Sequence, residues 1–534
     1  MKILKIFGIL AVIFLALLGF GIYWGKNWVY QNLESVINAK PDRKYDFTFD
    51  KVEFSLLQKV ILISEVKITP VGDQKGVFVE GKVAQVFLNK FSLYQLFMEK
   101  DIQIRELMFS QPEFVIHIPL ENPEEEKAGE AMKSLFGDIL SRGGIENFEL
   151  GQASAVILLG EEKIGSFSDF NLVANDLRTD SLKWSYPIPF DYGRIFMSMD
   201  SLDYRLPNGQ QLKAGMIIFD TNTQQFKMND LSLKYIAGIR EASKKMEFQN
   251  DLIDFELDSL VFSGLEANSN LYSDLDVRAR KLEVAGLILE DYRNKDLPRP
   301  KDEIKPLFQG MVKKISVPLK LDTLRITNGA IAYGESVPGK NDYWNLHIDH
   351  LNGDIVNITT IDAYQKSFEH FDGNFTGKVE GSGSLKINLK VPYDKDEFDM
   401  EVDFTNFPMP KVNEILKPIM NGDIVTGDLV KMNLKIHGDP KKSTNTFRFD
   451  YTNLKMELFK KGEQKKNRFL SSVANVALNT SNLPGEKKYL TANYTVARNP
   501  NRGPFYLLWQ STKEGMMKIV PGGAVKEILS GQEK

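Results

Sequence analysis

The sequence contains no cysteine. That excludes disulfide frameworks, thiolate zinc sites, thiol nucleophiles and a lipoprotein anchor on cysteine, and such avoidance suits an oxidising compartment. Histidine is scarce, with five among 534 residues, and neither charge sign dominates: 67 Lys and Arg stand against 71 Asp and Glu, for a net charge near −4. The electrostatic footprint of a nucleic-acid binder is missing. The G-x-S-x-G and H-E-x-x-H motifs do not occur. His347 and His350 flank Asp349, but an offset of three on a strand points two side chains to opposite faces, so no metal site is expected there. GESVPGK (334–340) begins like a phosphate-binding loop, yet Asn341 stands where Ser or Thr should hold magnesium and a strand-like segment follows where a helix should. GSGS (381–384) reads as a hairpin turn. Carboxylates are plentiful and scattered, so a glycosidase-like pair has no specific support. No cofactor is implied.

Long apolar runs are equally scarce, with one exception. Ile6 to Gly25 carries no charge and, at about 1.5 Å per residue, is long enough to cross a roughly 30 Å hydrocarbon core. Tyr23, Trp24 and Trp28 follow as membrane-interface aromatics, with Tyr30 extending the belt. A cleaved signal peptide is the competing reading, with Gly19 and Gly21 before the cut, but the run exceeds the usual apolar core of such a peptide. Residues 1–30 are therefore expected to form an uncleaved transmembrane anchor. Lys2 and Lys5 favour an inside N-terminus, while Lys26, Lys40, Arg43 and Lys44 weaken that bias.

Beyond about residue 45 the pattern is alternation in short runs divided by turn residues: VILISEVKI (60–68), KVAQVFL (82–88), MIIFD (216–220), SLKINLKV (384–391) and KMNLKIHG (431–438). Apolar residues at period two mark strands, so the fold class is mainly β. Helical patterns are few: 123–141, 304–314, 411–420, 467–477 and 505–520. The last places Phe505, Leu508, Trp509, Thr512, Met516 and Ile519 on one face and Lys513, Glu514 and Lys518 opposite. It is expected either to lie on a membrane, with Trp509 at the interface, or to pack on a sheet end. The polar stretch 291–306 is the best internal boundary, and 121–130 is a charged insertion.

One spacing recurs. Ile104, Leu107, Phe109, Phe114 and Ile116 are matched by Ile145, Phe148, Leu150, Ala155 and Ile157, and again by Leu321, Leu324, Ile326, Ile331 and Tyr333. Pro112, Ala153 and Gly329 fall at the same offset in the three copies. Each copy reads as a bent hairpin with one apolar face. Some strands are apolar on both faces, as at Val156 to Leu159, and need cover on each side. A second sheet would supply it in a β-sandwich; a bound apolar ligand is the alternative.

Anchor, repeated unit and tail together resemble the AsmA-like family of envelope proteins, which includes TamB and is related to bridge-like lipid-transfer proteins. The likeness begins in FSLLQKVILISEVKITP (54–70) and continues through residues 77–118, which are similar to the family's alternating strands, short helix and Pro-containing turn. A second match spans 416–439 and 447–461, with Pro418, Gly427, Gly438, Tyr451 and Leu454 at corresponding positions. These are structural patterns, not catalytic signatures. The resemblance implies a single-pass inner-membrane protein of a Gram-negative bacterium with its bulk in the periplasm. Behind the transmembrane helix it implies an elongated, curved antiparallel sheet forming an open groove, with few short helices. The expected organisation is an anchor (1–30), two β-groove regions (31–300 and 301–460) and a C-terminal helical, amphipathic segment (461–534).

Phospholipids are the implied ligands and the inner membrane the implied partner, together with outer-membrane or other envelope proteins. Supporting outer-membrane biogenesis and lipid homeostasis is the implied role, without catalysis. The expected groove lining is Phe109, Phe114, Ile116, Leu150, Ile157, Ile326 and Ile331. The physical need is plain: at about 0.8 kcal/mol per CH₂, drawing roughly thirty acyl carbons into water costs on the order of 25 kcal/mol, which corresponds to escape at about 10⁻⁶ per second. The alternatives are an envelope scaffold or assembly factor binding polypeptides, and a hydrolase that would require a buried polar cluster.

Overall fold

The computed structural model describes residues 2–39, 41, 43–55, 58–72, 76–90, 105–120, 145–177, 192–266, 277–300, 304–340, 342–419, 422–458 and 478–520. The expected helices at 123–141 and 467–477 lie outside them. The chain is mainly β and divides into two units, Met1–Pro207 with Leu212–Met228 and Ala267–Asp274, and Asn208–Gln211 with Asn229–Glu266 and Leu275–Lys534. The polar stretch 291–306 lies inside the second unit and is no boundary. Strands on either side of it pair with one another, and this binds the flanks together.

The first unit begins with helix α1 (Lys2–Ile37). Its strands are β1 (Tyr45–Thr48), β2 (Lys51–Ser55), β3 (Val60–Pro70), β4 (Phe78–Asn89), β5 (Glu106–Ile118), β6 (Asn147–Leu159), β7 (Glu162–Asn175), β8 (Arg194–Met199) and β9 (Ser201–Arg205). After β10 (Gln210–Ala214), which has residues in both units, comes β11 (Ile217–Asp220); β12 (Gln225–Tyr235) again has residues in both. From β3 to β7 the strands pair antiparallel except β5 with β6, which run parallel and stack Phe109 on Leu150 and Ile116 on Ile157. The sheet is thus mixed, where an antiparallel one was expected. Two copies of the repeat lie side by side in the same direction, and only a parallel pair brings their matching positions into register.

Among the described residues no helix is long and apolar enough to cross a membrane. The expected span Ile6 to Gly25 lies within α1, but the side chains of residues 2–15 and of Leu18 are outside the described set. The end of α1 packs on the sheet: Val29 and Leu33 are buried in the first unit's core, and Trp28 packs against it. Asn38 fixes that end by donating to the Phe47 carbonyl (2.8 Å) and accepting from the Phe47 N–H (3.0 Å).

The second unit holds α2 (Ile239–Ser243), β13 (Asp251–Ser263), β14 (Val277–Ala285), β15 (Ile288–Arg293), α3 (Phe308–Lys313), β16 (Leu319–Ser336), β17 (Tyr343–Thr359) and α4 (Asp362–Phe368). It continues with β18 (His370–Val379), β19 (Gly383–Pro392), β20 (Phe398–Pro408), a 3₁₀ turn (Met409–Val412), α5 (Asn413–Ile419), β21 (Gly422–Gly438), β22 (Lys442–Leu458), β23 (Thr491–Ala497) and α6 (Pro504–Ile519). β14 and β15 both run parallel to β16; from β16 to β23 each strand pairs antiparallel with the next. GESVPGK ends β16 and forms the turn into β17, closed by Val337 N–H to the Asp342 carbonyl (3.0 Å). GSGS is the β18–β19 turn, with Ser382 N–H bonded to the Val379 carbonyl at 3.1 Å.

The repeated units are single strands, not bent hairpins. Gln111, Gln152 and Asn328, each just before the shared turn position, have φ of 51°, 54° and 52°. A residue in that conformation makes a β-bulge, adding one residue and shifting the alternation by one. The offset of three between Phe109 and Pro112 therefore keeps both on one face, and Leu107, Phe109, Pro112, Phe114, Ile116 and Ile118 are all buried. The hairpin reading fails because a turn and a bulge leave the same gap in an apolar pattern.

Candidate apolar ligand surface

The bulges recur with the same chemistry in both units. In the first, Gln152 N–H donates to Asn171 Oδ1 (2.9 Å) and Asn171 Nδ2 donates to the carbonyl of Asp169 (2.9 Å), itself bulged with φ 48°. In the second, Asn328 N–H donates to Asn352 Oδ1 (3.0 Å) and Asn352 Nδ2 to the carbonyl of His350 (2.8 Å), whose φ is 50°. Each asparagine satisfies a donor and an acceptor that the bulges free from the ladder. β6–β7 and β16–β17 are thus equivalent modules. A fourth copy of the repeat, not apparent from the pattern, lies parallel to β16: Leu282, Val284, Leu287 and Leu289 across β14 and β15. Gly286, with φ 65°, takes the bulge position there. RKLEVAGLILEDY held the signal, but its Asp291 breaks the apolar sequence at the position matching Ile116.

The two units fill the repeated face differently. In the first, five of the seven expected lining residues, Phe109, Phe114, Ile116, Leu150 and Ile157, are at most 6% exposed. Protein atoms already cover them, so they form a closed core and not an open groove. Burying each such side chain contributes about 2 kcal/mol. In the second unit Ile326 and Ile331 are half-buried and belong to a larger surface. Phe255, Leu289, Ile331 and Ile348 line up across β13, β15, β16 and β17. Val284, Ile326, Phe375 and Ile387 follow, with the Phe375 ring over Gly353. These eight side chains are half-buried, whereas farther along the same face, on β20 to β22, Val402, Leu434, Phe447 and Phe449 are buried. The opposite face is polar: Arg325 forks onto Asp354 (2.7 and 3.1 Å), and Asn374, Lys386 and Asn388 line a shallow concavity beside them.

The same face ends in a polar cluster on β13, β15 and β16. Arg293 pairs with Asp251 and Lys295 with Glu335, while the Tyr333 hydroxyl donates to Glu335 (2.6 Å). Asp291 sits beside Tyr333, and its Oδ1 is buried without a hydrogen-bond partner. Burial first, then the charge of Asp251, pushes its carboxyl up to about 7. Burial, then the Glu335 charge, raises the Tyr333 phenol far above its ordinary range. The phenol is thus held protonated, as the donor to the Glu335 carboxylate.

Of the expected interface aromatics, Tyr23 and Trp24 are exposed on α1, while Trp28 is turned onto the sheet. Among the described residues no three His, Asp or Glu converge as metal ligands. Trp509 is exposed on α6, and the helix packs on the sheet with its expected stripe divided: Leu508, Met516 and Ile519 meet the core, while Phe505 and Trp509 do not. Leu507, Ser511, Gly515 and Ile519 face the protein; of these only Ile519 belongs to the apolar stripe read from the sequence. The resemblance positions at the C-terminal end are structural: Tyr451 and Leu454 are buried in the second unit's core, and a Cβ on Gly438 would meet the Phe398 ring at 2.3 Å. No protein-family pattern matches the chain, and no curated protein matches it.

Proposed function

We propose that this is a membrane-anchored envelope protein that holds phospholipid acyl chains against the apolar face of β13 to β19, with α1 as its anchor and the periplasm as its compartment. The observation that carries the reading is the band of half-buried aliphatic and aromatic side chains from Phe255 to Ile387, with the Phe375 ring over Gly353. Contiguous apolar surface of this kind is costly to leave in water and marks a binding face. A sheet with one greasy and one polar side can pass methylene chains along its pleats without any reactive constellation. The resemblance to AsmA-like proteins points the same way and adds the elongated groove, the inner-membrane location and a role in outer-membrane lipid homeostasis.

A second reading, an envelope scaffold that binds polypeptides, is favoured by the closed core of the first unit. Photocrosslinking separates the two. A phospholipid with a diazirine in its acyl chain, supplied to the full-length protein in envelope membranes, is expected to label peptides from β14 to β19. Labels confined to α1, or a crosslinker on Ile331 that captures only proteins, would overturn the lipid reading.

A further inference from the structure

α6 is turned about its axis so that part of its apolar stripe, Leu508, Met516 and Ile519, packs on the core while Phe505 and Trp509 face outward, and the cause is local. A Cβ on Gly515 would lie 2.4 Å from the Tyr494 hydroxyl and 2.5 Å from the Phe447 ring, so the helix seats its small stripe on β22 and β23. Ser511 secures it, its hydroxyl 2.9 Å from that of Ser443 and its carbonyl accepting from Tyr494 at 2.5 Å. The aromatic side is left outward: Phe505 is 65% exposed and Trp509 52%. Phe308 of α3 meets Phe505 edge-on at 5.6 Å, so the two helices adjoin, and Met311 and Ile304 are exposed beside Phe308 in the chain.

The charge around this patch opposes that of the chain. Segments 304–320 and 498–520 hold eight Lys and Arg and a single acid, Glu514, in a protein whose net charge is −4. Glu514 is itself paired with Lys518 (3.2 Å) and Lys320 with Asp322 (2.7 Å) just beyond the first segment, so the excess rests on the other six. Exposed Phe, Tyr and Trp in segments rich in Lys and Arg have the composition of a bilayer-interface element, where the rings sit at headgroup depth and the cations meet anionic lipid. We infer that α3 and α6 form a docking platform for the surface of an anionic phospholipid bilayer. This stands independently of whether acyl chains bind β13 to β19.

The absence of cysteine gives a direct test. Full-length Phe505→Cys protein, labelled with an environment-sensitive dye and reconstituted into phosphatidylcholine vesicles with or without 30 mol% phosphatidylglycerol, reports the polarity at this position. The expected result is a blue shift and brightening with phosphatidylglycerol only, reversed by about 0.5 M salt. A dye at the exposed polar-face position Lys386→Cys should not respond. Adding Lys313→Glu, Lys314→Glu and Lys513→Glu together should weaken the response on the order of a hundredfold, with the circular dichroism unchanged. An equal response on both vesicle types, or none, overturns the inference. So does shielding that tracks the protein-to-lipid ratio without regard to lipid charge, which would mean that a second copy or another protein covers the face.

Discussion

At the scale of single residues, Asp291 carries the clearest electrostatic signature. Its carboxyl is raised to about 7 from an ordinary 3.8, chiefly by burial. The folded state therefore keeps a proton that the unfolded chain has already lost between those values. The sign follows from linkage: this group's contribution is most favourable below pH 4, falls as pH rises toward 7, and is flat beyond. Asp291→Asn removes the ionisation. Urea denaturation of this variant should show a gain over the parent that is larger at pH 8 than at pH 5; an equal difference at both would sink the assignment. The same position explains a failure of sequence reading. An aspartate where three other copies have Ile116, Ile157 and Tyr333 hides the repeat, although the backbone keeps it.

At the scale of elements, the bulge and its asparagine act as one device. Asn352→Ala removes the side-chain partners of the Asn328 N–H and the His350 carbonyl, both at exposed positions, and should cost about 1 kcal/mol. Hydrogen exchange at Asn328 should accelerate correspondingly, and Asn171→Ala should do the same at Gln152. Unchanged exchange at either site would show that water replaces the side chain. For α6, Gly515→Val forces a side chain into Phe447 and Tyr494. The expected outcome is release of the helix, seen as a rise in proteolysis within 504–519 while the strands keep their protection. Strand identity was readable from alternation in all five segments named above, because period two survives whatever packs on it. The bulges were not readable, since a one-residue insertion and a turn both appear as a break in phase.

At the scale of the whole molecule, one repeated unit serves two ends, a closed core in the first unit and a half-open apolar face in the second. Ile116→Lys should destabilise the fold by several kcal/mol, because it buries an unpaired charge, and should lower the melting temperature whatever lipid is present. Ile326→Lys, at a half-buried position, should leave melting nearly unchanged while reducing acyl-chain photolabelling at least severalfold. If both substitutions act alike, the second unit's face is ordinary core and the lipid reading fails.

The amino-acid sequence by itself determined the β class, the repeated apolar spacing and the positions of α3, α5 and α6. Those depend on periodicity and residue type, which are local. Only the tertiary structure decided which copies of the repeat are covered, that β5 and β6 run parallel, and that α6 turns its aromatics outward. Each of those depends on contacts between residues far apart in the chain, such as Gly515 against Phe447 and Tyr494. An apolar side chain carries the same sequence signal whether protein or solvent lies over it.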